Sequence, residues 1–338
     1  MRWGLYCLLV LVLRVPPAVW SQTIPGNGGD FSSGSGKVDP AAKVPSGVIL
    51  VKGAWSSASD SVTPVPENAT VGNGVFRDAY FGTTYTLPPG WSEKYEGPPP
   101  SDTGRYVLAQ LRAPEAKDAT IGGTILITAQ DMFFTSLPVG NALQLVNYSK
   151  NNLQADYRME LPVTQTSIGG RPFVFFAYWS PVAQLHWYVL DTEIRCHAVE
   201  IVLTSRDTNL LQKLVLDLNR MQLPEDADPA AGQGGGSAPV CIANYASQAN
   251  VIIRVEPRFT ERRFNAVPVR IVIDKKGAVE HIHFLSAFPD QAKSITEALK
   301  QWRFKPYVHG GQPVEVETGI MFGQAPRARL RESSRTTE

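Results

Sequence analysis

The sequence predicts an α+β fold in two domains. Runs of β-branched and aromatic residues recur along most of the chain, and only three stretches show helical periodicity. The segment AGQGGGSAP at 231–239 has the composition of a flexible linker and separates these runs into two blocks. With 338 residues, the chain is long enough for two domains and their connecting segments.

Composition and charge exclude several classes of protein. Hydrophobic residues make up 43% of the chain and charged residues 19%, which is enough to build packed cores. The net charge of +1 gives no reason to expect a nucleic-acid partner. Three cysteines are too few for a small domain held by disulfides. Only the first stretch approaches the length of a membrane span, which excludes a multi-pass membrane protein.

The first 21 residues have the pattern of a secretory signal peptide. Arg2 supplies the positive charge, an apolar run follows, and Val19 and Ser21 occupy the two small-residue positions of a cleavage site. We therefore expect an exported chain. The alternative is a retained signal, in which residues 4–20 anchor the chain in a membrane, although Arg14 interrupts the apolar run.

Composition also predicts which segments lie outside the folded domains. Residues 22–75 are rich in Gly, Ser, Pro and Ala and are expected to be mostly flexible, with one edge strand at Val48–Val51. Residues 224–239 form the predicted linker, and residues 325–338 form a disordered basic tail. The two folded domains that remain are 76–223 and 240–324.

Residues 76–223 are predicted to form a mainly antiparallel sheet with two helices. The apolar spacing from Val139 to Leu153 predicts the first helix, with Pro138 near its start. Asp207 is a good N-cap for the second. The strands predicted from β-branched and aromatic content are 82–87, 106–112, 123–130, 171–179, 185–194 and 198–204.

Residues 240–324 are predicted to fold in the order ββαβ. The segments 267–274 and 278–286 alternate as strands and are joined by a short turn that ends at Gly277. Asp290 is the predicted N-cap of a helix whose apolar positions are Ala292, Ile295, Leu299 and Trp302. The last strand is PVEVETGIMF at 313–322.

The order of motifs in this second domain resembles the C-terminal domain of TonB proteins. That family shows an Asp-x-x-Gly turn between two strands, a helix that ends in Trp-x-Phe/Tyr-x-Pro, a short Gly turn and a final strand. The resemblance covers roughly a quarter of the chain and is specific as a combination. The matching residues are Asp274, Gly277, Trp302, Phe304, Pro306 and Gly311.

The resemblance implies a non-enzymatic protein of the bacterial cell envelope, periplasmic or secreted, with a protein partner such as an outer-membrane receptor. Domains of this family bind a peptide of the partner by strand addition, pairing it with an exposed edge of their sheet. We expect the last strand to supply this edge. Its predicted partner-binding residues are Val314, Val316, Thr318, Ile320 and Phe322.

Two alternatives remain open beside such an envelope adaptor. One is a TonB-type energy transducer for outer-membrane transport, which requires residues 4–20 to be retained as an inner-membrane anchor. The other is a ligand-binding enzyme that uses the N-terminal domain. That domain faintly resembles the α/β/α sandwich of PsbP and Mog1 proteins, through YFGTTYTLPPGW at 80–91, the central helix and the closing helix. The PsbP/Mog1 fold serves mostly as a binding or accessory module.

No complete catalytic or metal-binding motif is found in the sequence, and no cofactor is expected. His281 and His283 lie two apart on one strand, but a zinc site needs more ligands, so we expect a polar strand face. Cys196 and His197 would point to opposite faces of a strand, which argues against a nucleophile–base pair. Cys196 and Cys241 can form one disulfide in an exported chain, and two buried free thiols are an equal alternative.

Overall fold

A computed structural model describes residues 48–50, 58–60, 65–93, 104–114, 122–135, 137, 139–224, 239–259 and 266–323. The predicted signal peptide and basic tail lie outside these residues, as do most of the predicted linker and much of the predicted flexible segment. Within the described ranges, no helix has both the length and the apolar character that a membrane span requires.

Three helices and 20 strands form the described structure. The helices are α1 (Ala142–Asn151), α2 (Thr208–Leu218) and α3 (Pro289–Leu299). The strands are β1 (Val48–Leu50), β2 (Ala58–Asp60), β3 (Thr70–Gly72), β4 (Val75–Asp78), β5 (Thr83–Thr86), β6 (Ser92–Glu93), β7 (Arg105–Arg112), β8 (Gly123–Asp131), β9 (Arg158–Ile168), β10 (Arg171–Ser180), β11 (Leu185–Ile194), β12 (His197–Ser205), β13 (Val240–Cys241), β14 (Val251–Ile253), β15 (Val267–Ile273), β16 (Val279–Phe284), β17 (Arg303–Phe304), β18 (Tyr307–His309), β19 (Gln312–Val314) and β20 (Val316–Phe322).

The N-terminal unit, residues 65–224, is built on a seven-stranded antiparallel sheet in the order β6-β7-β8-β12-β11-β10-β9. Helix α1 packs on one face through Leu145 and Val146. Helix α2 and the small β3-β4-β5 sheet pack on the other face, where Leu211 and Leu214 join the largest core. Because both faces are covered, every residue of β12 is buried. These layers confirm the predicted α+β class.

The C-terminal unit, residues 239–323, is built on a sheet in the order β1-β2-β16-β15-β20-β13, to which the early strands β1 and β2 also belong. Its core lies between this sheet and α3, where Ile295, Leu299 and Trp302 pack against β15 and β20. Burying each large apolar side chain of this kind contributes about 1.5–3 kcal/mol. The strand predicted at Val48–Val51 is observed as β1.

The structure differs from the predictions at several boundaries. Helix α3 is capped by Phe288 rather than Asp290, because Pro289 occupies its first position and places Asp290 inside the first turn. The helix ends before Trp302. The last strand is interrupted at Glu315, because the residues before it form a separate hairpin with β18. Nine of the described strands lie outside the predicted segments, and β9 is the one among them that is longer than four residues; they are β2, β3, β4, β6, β9, β13, β14, β17 and β18.

The two units pack directly on each other. The face of the C-terminal sheet opposite α3 lies against the N-terminal unit, and Leu285 joins the N-terminal core. Gly319 of β20 lies under Phe133 and Phe134, since an added Cβ would stand 2.8 Å from the Phe134 ring and 3.0 Å from the Phe133 Cβ. The fold therefore places Glu317 and Gly319 of β20 between the units and the other face of the strand under α3.

Candidate functional site

The predicted partner-binding residues lie on β19 and β20, and their side chains face the interior of the C-terminal unit. Val316 and Phe322 belong to its buried core, and Ile320 packs against that core. Thr318 is fully buried, and its Oγ1 donates a hydrogen bond to the carbonyl oxygen of Ala243 at 3.3 Å. Val314 is half-buried on β19. These side chains therefore stabilise the sheet, and any strand pairing at β20 must use its backbone.

Strand β20 lies inside the sheet, between β15 and β13, rather than at the edge that the sequence predicts. Strand β13 covers only the first residues of β20: the N–H of Val240 donates to the carbonyl of Glu315 at 2.8 Å, and that of Ile242 donates to the carbonyl of Glu317 at 3.0 Å. Beyond Glu317, β20 has no strand partner on this side among the described residues.

The backbone of Gly319 and Met321 lies along this remaining edge. In antiparallel pairing, alternate residues direct both backbone groups to the same neighbouring strand, so Gly319 and Met321 point to the same side as Glu317. Pro268 of β15 stands opposite Met321, and its carbonyl accepts from Leu285 on the far side at 3.0 Å. Proline has no N–H, which fits a pair that exchanges no hydrogen bonds. The Met321 side chain is 48% exposed.

Two residues of the sequence motif, Asp274 and Gly277, stabilise the turn between β15 and β16 and bond it to β17. The Asp274 carboxylate accepts from the N–H of Lys276 at 2.9 Å and from that of Ala278 at 2.7 Å. Gly277 has a φ of +85°, and its carbonyl accepts from the N–H of Phe304 at 2.8 Å. An added Cβ at Gly277 would stand 2.0 Å from the Phe304 carbonyl oxygen, so only glycine fits.

The remaining motif residues lie after α3. The Trp302 ring is buried, and its Nε1 donates to the carbonyl of Val255 at 2.8 Å. Phe304 is buried beside it, and Pro306 is exposed between β17 and β18. Gly311 has a φ of +80° in the β18–β19 turn. The structure thus gives these residues roles in the fold of the unit and none at the β20 edge.

A buried charged cluster joins the two units directly beneath β20. Arg270 of β15 is 2% exposed, and its Nε donates to Oδ2 of Asp131 at 2.8 Å. Its Nη1 lies 3.5 Å from Oε1 of Glu317, and its Nη2 donates to the carbonyl of Arg195 at 3.3 Å. The other Glu317 contacts are a hydrogen bond from the Tyr80 hydroxyl at 2.9 Å and an ion pair with Arg195 at 3.2 Å.

Burial sets the protonation of the groups around Arg270. Burial and the Arg270 charge lower the pKa of His197 well below its ordinary value, so its imidazole is neutral at pH 7. Burial also raises the pKa of Tyr80 and of Asp131, while Arg270 opposes both shifts. Burial lowers the pKa of Arg270, but the Asp131 charge and Tyr80 raise it more, which keeps the guanidinium charged.

The turn between β11 and β12 supplies an ion pair and a disulfide between the two units. Arg195 and Cys196 form this two-residue turn, and both have positive φ, at 48° and 56°. Residues other than Gly, Asn and Asp rarely adopt this conformation, so the turn is strained. The turn nevertheless places Arg195 and Cys196 beside the C-terminal unit. Cys196 forms a disulfide with Cys241 of β13, and their Cα atoms are 5.8 Å apart. Both cysteines are half-buried.

The histidines considered as metal ligands lie on β16. His283 is buried beside Arg270, its cross-strand neighbour, and His281 is half-buried. In the part of the chain that the structure describes, no group of three or more His, Cys, Asp or Glu side chains is placed to hold a metal ion. His197 is fully buried, and its Nδ1 bonds to the Arg195 carbonyl rather than to its neighbour Cys196.

A second buried carboxylate pair lies under α1. Asp191 and Glu200 are cross-strand neighbours on β11 and β12, and Glu200 bonds to Thr128 at 3.2 Å and to Arg105 at 3.4 Å. Both oxygens of Asp191 are buried and make no hydrogen bond in the structure. Burial, followed by repulsion from Glu200, raises the pKa of Asp191 well above its ordinary value, although Arg105 opposes this shift.

Replacing Asp191 by asparagine is expected to change the pH dependence of stability. Because the folded-state pKa is raised, Asp191 favours folding most below its unfolded pKa of about 3.9, and this contribution is lost as the pH rises through the folded value. The difference in free energy of unfolding, Asp191→Asn minus parent, should therefore increase with pH. Urea unfolding between pH 4 and pH 8 measures it, and a constant difference would contradict the raised pKa.

Comparison with known proteins assigns a family to the segment that carries β15, β16, α3 and β20. Residues 261–323 match the family of the Gram-negative bacterial TonB protein C-terminal. Domains of this family interact with outer-membrane proteins, and their proteins belong to the cell envelope. No curated protein matches the chain. The solution structure of cyanobacterial PsbP (CyanoP) from Synechocystis sp. PCC 6803 is 14% identical, with 46% of this chain and 95% of that chain covered, but its TM-score of 0.31 is too low to support an argument.

Proposed function

Because residues 261–323 form a TonB C-terminal domain, we propose that the chain is an envelope adaptor that binds a protein partner by strand addition at β20. The observation that carries this proposal is the edge at Gly319 and Met321, whose backbone groups point away from β15 beyond the end of β13. An extended peptide can pair with such an edge through main-chain hydrogen bonds. The partner chemistry that fits is an extended segment of an outer-membrane receptor.

The other side of the C-terminal sheet supports this choice of edge. The outer side of β16 pairs with β2 at His283 and Phe284, and β2 pairs in turn with β1, so the chain itself occupies part of this side of the sheet. Both faces of the sheet are also covered, one by α3 and the other by the N-terminal unit. Among the described residues, the end of β20 has no strand on one side, so a partner strand can gain hydrogen bonds there without displacing another strand.

A role without catalysis is part of the proposal. The thiol of Cys196 is consumed in a disulfide, and His197 is buried and bonded to the backbone, so this pair offers no nucleophile. The aromatic residues Phe173, Phe176 and Tyr178 of the N-terminal unit are packed in its cores rather than along a groove.

We further propose that the chain is exported and works in the periplasm or outside the cell. The signal pattern of residues 1–21 supports export. The mass of the N-terminal peptide of the native protein distinguishes this proposal from a transducer anchored in the membrane. A start at or near Gln22 is expected, and a start at Met1 would contradict it.

Proline at Met321 is expected to abolish partner binding while the domain stays folded. The substitution removes an N–H that faces the open edge and leaves the pairing with β15 intact, since Met321 bonds on the other side. Proline at Val316 or Thr318 would instead disrupt that pairing. The measurement is the affinity for synthetic peptides that tile the periplasmic N-terminal segments of the host's outer-membrane receptors.

The matched control for this experiment is Met321→Ala, which keeps the N–H and removes the exposed side chain. We expect Met321→Ala to retain most of the affinity and Met321→Pro to lose at least about tenfold, as the loss of one or more hydrogen bonds requires. A folded Met321→Pro variant that binds the same peptides as well as the parent would rule out strand addition at this edge.

A further inference from the structure

Part of the β20 edge is occupied by the chain's own backbone. The segment Val240–Ile242 runs parallel to β20 and satisfies the carbonyls of Glu315 and Glu317 through two backbone hydrogen bonds, at 2.8 and 3.0 Å. Ile242 packs against the C-terminal core. The segment therefore has the position and the bonds that an added partner strand would have over the first half of β20.

A covalent bond holds this segment in place. Cys241, at its centre, is joined to Cys196 in the β11–β12 turn of the N-terminal unit. That turn is fixed in two further ways: the Cys196 carbonyl accepts from the N–H of Met132 at 3.0 Å, and Arg195 pairs with Glu317 at 3.2 Å. The N-terminal unit therefore holds Cys241 in place beside β20 through this turn.

We propose that Val240–Ile242 is an internal occupant of the partner-binding edge, and that the Cys196–Cys241 disulfide is the lock that keeps it there. With the disulfide formed, Gly319 and Met321 are the residues of β20 that have no described strand beside them on this side. With the disulfide reduced, the segment is held by its two backbone bonds and Ile242, and a partner strand can compete for the whole edge from Glu315 to Met321. This inference rests on the proposed function.

The chemistry of release is an exchange with a dithiol reductant. One thiolate of the reductant attacks a sulfur of the disulfide and forms a mixed disulfide, which the second thiol of the reductant then resolves. Two electrons pass to the protein, and Cys196 and Cys241 end as protonated thiols while the reductant ends as a cyclic disulfide. Both cysteines are half-buried rather than fully enclosed, so a reductant has access to them.

The sequence around the segment suits release. The residues before it include the Gly- and Ser-rich stretch 231–237, whose composition is that of a flexible linker. Once the disulfide is reduced, the segment is no longer held to the N-terminal unit by a covalent bond at Cys241. A peptide supplied in trans then competes with the segment on more equal terms.

The test uses the full chain and a labelled peptide that copies the occupant, SAPVSIAN, which is residues 237–244 with Ser in place of Cys241. Its affinity is measured for the oxidised chain, for the chain reduced with dithiothreitol, and for the double variant Cys196→Ser/Cys241→Ser. We expect the last two to bind the peptide at least about tenfold more tightly than the oxidised chain. Equal affinity for all three, with near-ultraviolet circular dichroism unchanged, would overturn the lock.

Two further measurements keep the result clear if reduction loosens the fold. Val240→Pro removes the N–H that bonds to Glu315 while the disulfide remains, so the oxidised variant should bind the peptide as weakly as the oxidised parent, and only its reduced form should bind tightly. Amide exchange at Val240 and Ile242, whose N–H groups donate to β20, should accelerate on reduction, whereas exchange in β12 should not. Protection of Val240 and Ile242 that is unchanged by reduction would overturn the lock.

Failure of the lock and failure of the proposed function give different results. If the lock is wrong but strand addition is right, Met321→Pro still abolishes receptor-peptide binding, and the redox state has no effect. If strand addition is wrong, reduction still speeds exchange at Val240 and Ile242, but Met321→Pro in the double serine variant leaves receptor-peptide binding unchanged.

Discussion

Replacing Arg270 by alanine is expected to lower the free energy of unfolding by about 3–5 kcal/mol, the usual cost of removing one partner from a buried ion pair. The guanidinium is 2% exposed and binds both Asp131, at 2.8 Å, and Glu317, at 3.5 Å. The variant leaves these two carboxylates buried with less compensation. Because Asp131 belongs to one unit and Glu317 to the other, the packing between the units should weaken as well. Urea unfolding at pH 7 measures the change.

Arg254 provides the matched control for this prediction. It forms an ion pair with Glu256 in the same unit, but both side chains are at least half exposed, so Arg254→Ala should cost no more than about 1 kcal/mol. A variant in which Asp131→Asn accompanies Arg270→Met should recover part of the loss, since Glu317 keeps its ion pair with Arg195 and Asp131 is no longer charged. Similar costs for Arg270→Ala and Arg254→Ala would contradict the account of the cluster.

Replacing Gly277 by alanine is expected to prevent the C-terminal unit from folding stably. A left-handed φ of +85° costs a residue with a Cβ about 1–2 kcal/mol. The Cβ would also stand 2.0 Å from the carbonyl oxygen of Phe304, in a place where the backbone hydrogen bond to Phe304 leaves no room to move. We expect a total loss above about 4 kcal/mol.

Gly311 separates the two contributions. Its φ is +80°, but an added Cβ would meet nothing within 4 Å, so Gly311→Ala should cost only the conformational part, about 1–2 kcal/mol. Thermal unfolding of the two variants, with amide exchange in β15 as the local readout, gives the comparison. Equal losses for the two glycines would show that the contact with Phe304 does not determine the identity of residue 277.

The α+β class and most of the long strands could be predicted, because buried strands show alternating or continuous apolar runs in the sequence. Strand β9 escaped prediction although Met159, Leu161 and Val163 alternate in it, because Pro162 interrupts this short run and four polar residues follow it. Most of its side chains are exposed, as is typical of an edge strand. Strand β13 escaped because two residues carry no periodicity at all, and its position depends on a disulfide and on β20.

The charged cluster could not be predicted as a cluster, because Tyr80, Asp131, Arg195, Arg270 and Glu317 meet only when the two units pack together. One signal was present in the sequence. Arg270 interrupts the apolar run VPVRIVI, and a charge inside a fully buried strand requires a partner. The identity of that partner depends on tertiary structure.

The proposed binding edge lies on the strand that the sequence predicts, but the sequence does not predict which part of that strand is left unpaired. The alternation of PVEVETGIMF distinguishes the two faces of the last strand, yet it does not show which backbone groups remain open. That depends on β13, whose pairing places Glu315 and Glu317 out of reach and leaves Gly319 and Met321.

The most direct test of partner binding at β20 is photo-crosslinking in the native cell envelope. A photoreactive amino acid at position 321 should give a crosslink to an outer-membrane protein, because this side chain is 48% exposed beside the open edge. The same amino acid at Val182, which is 82% exposed on the N-terminal unit, should give none. A crosslink from position 182 to the same protein, with none from position 321, would contradict the account.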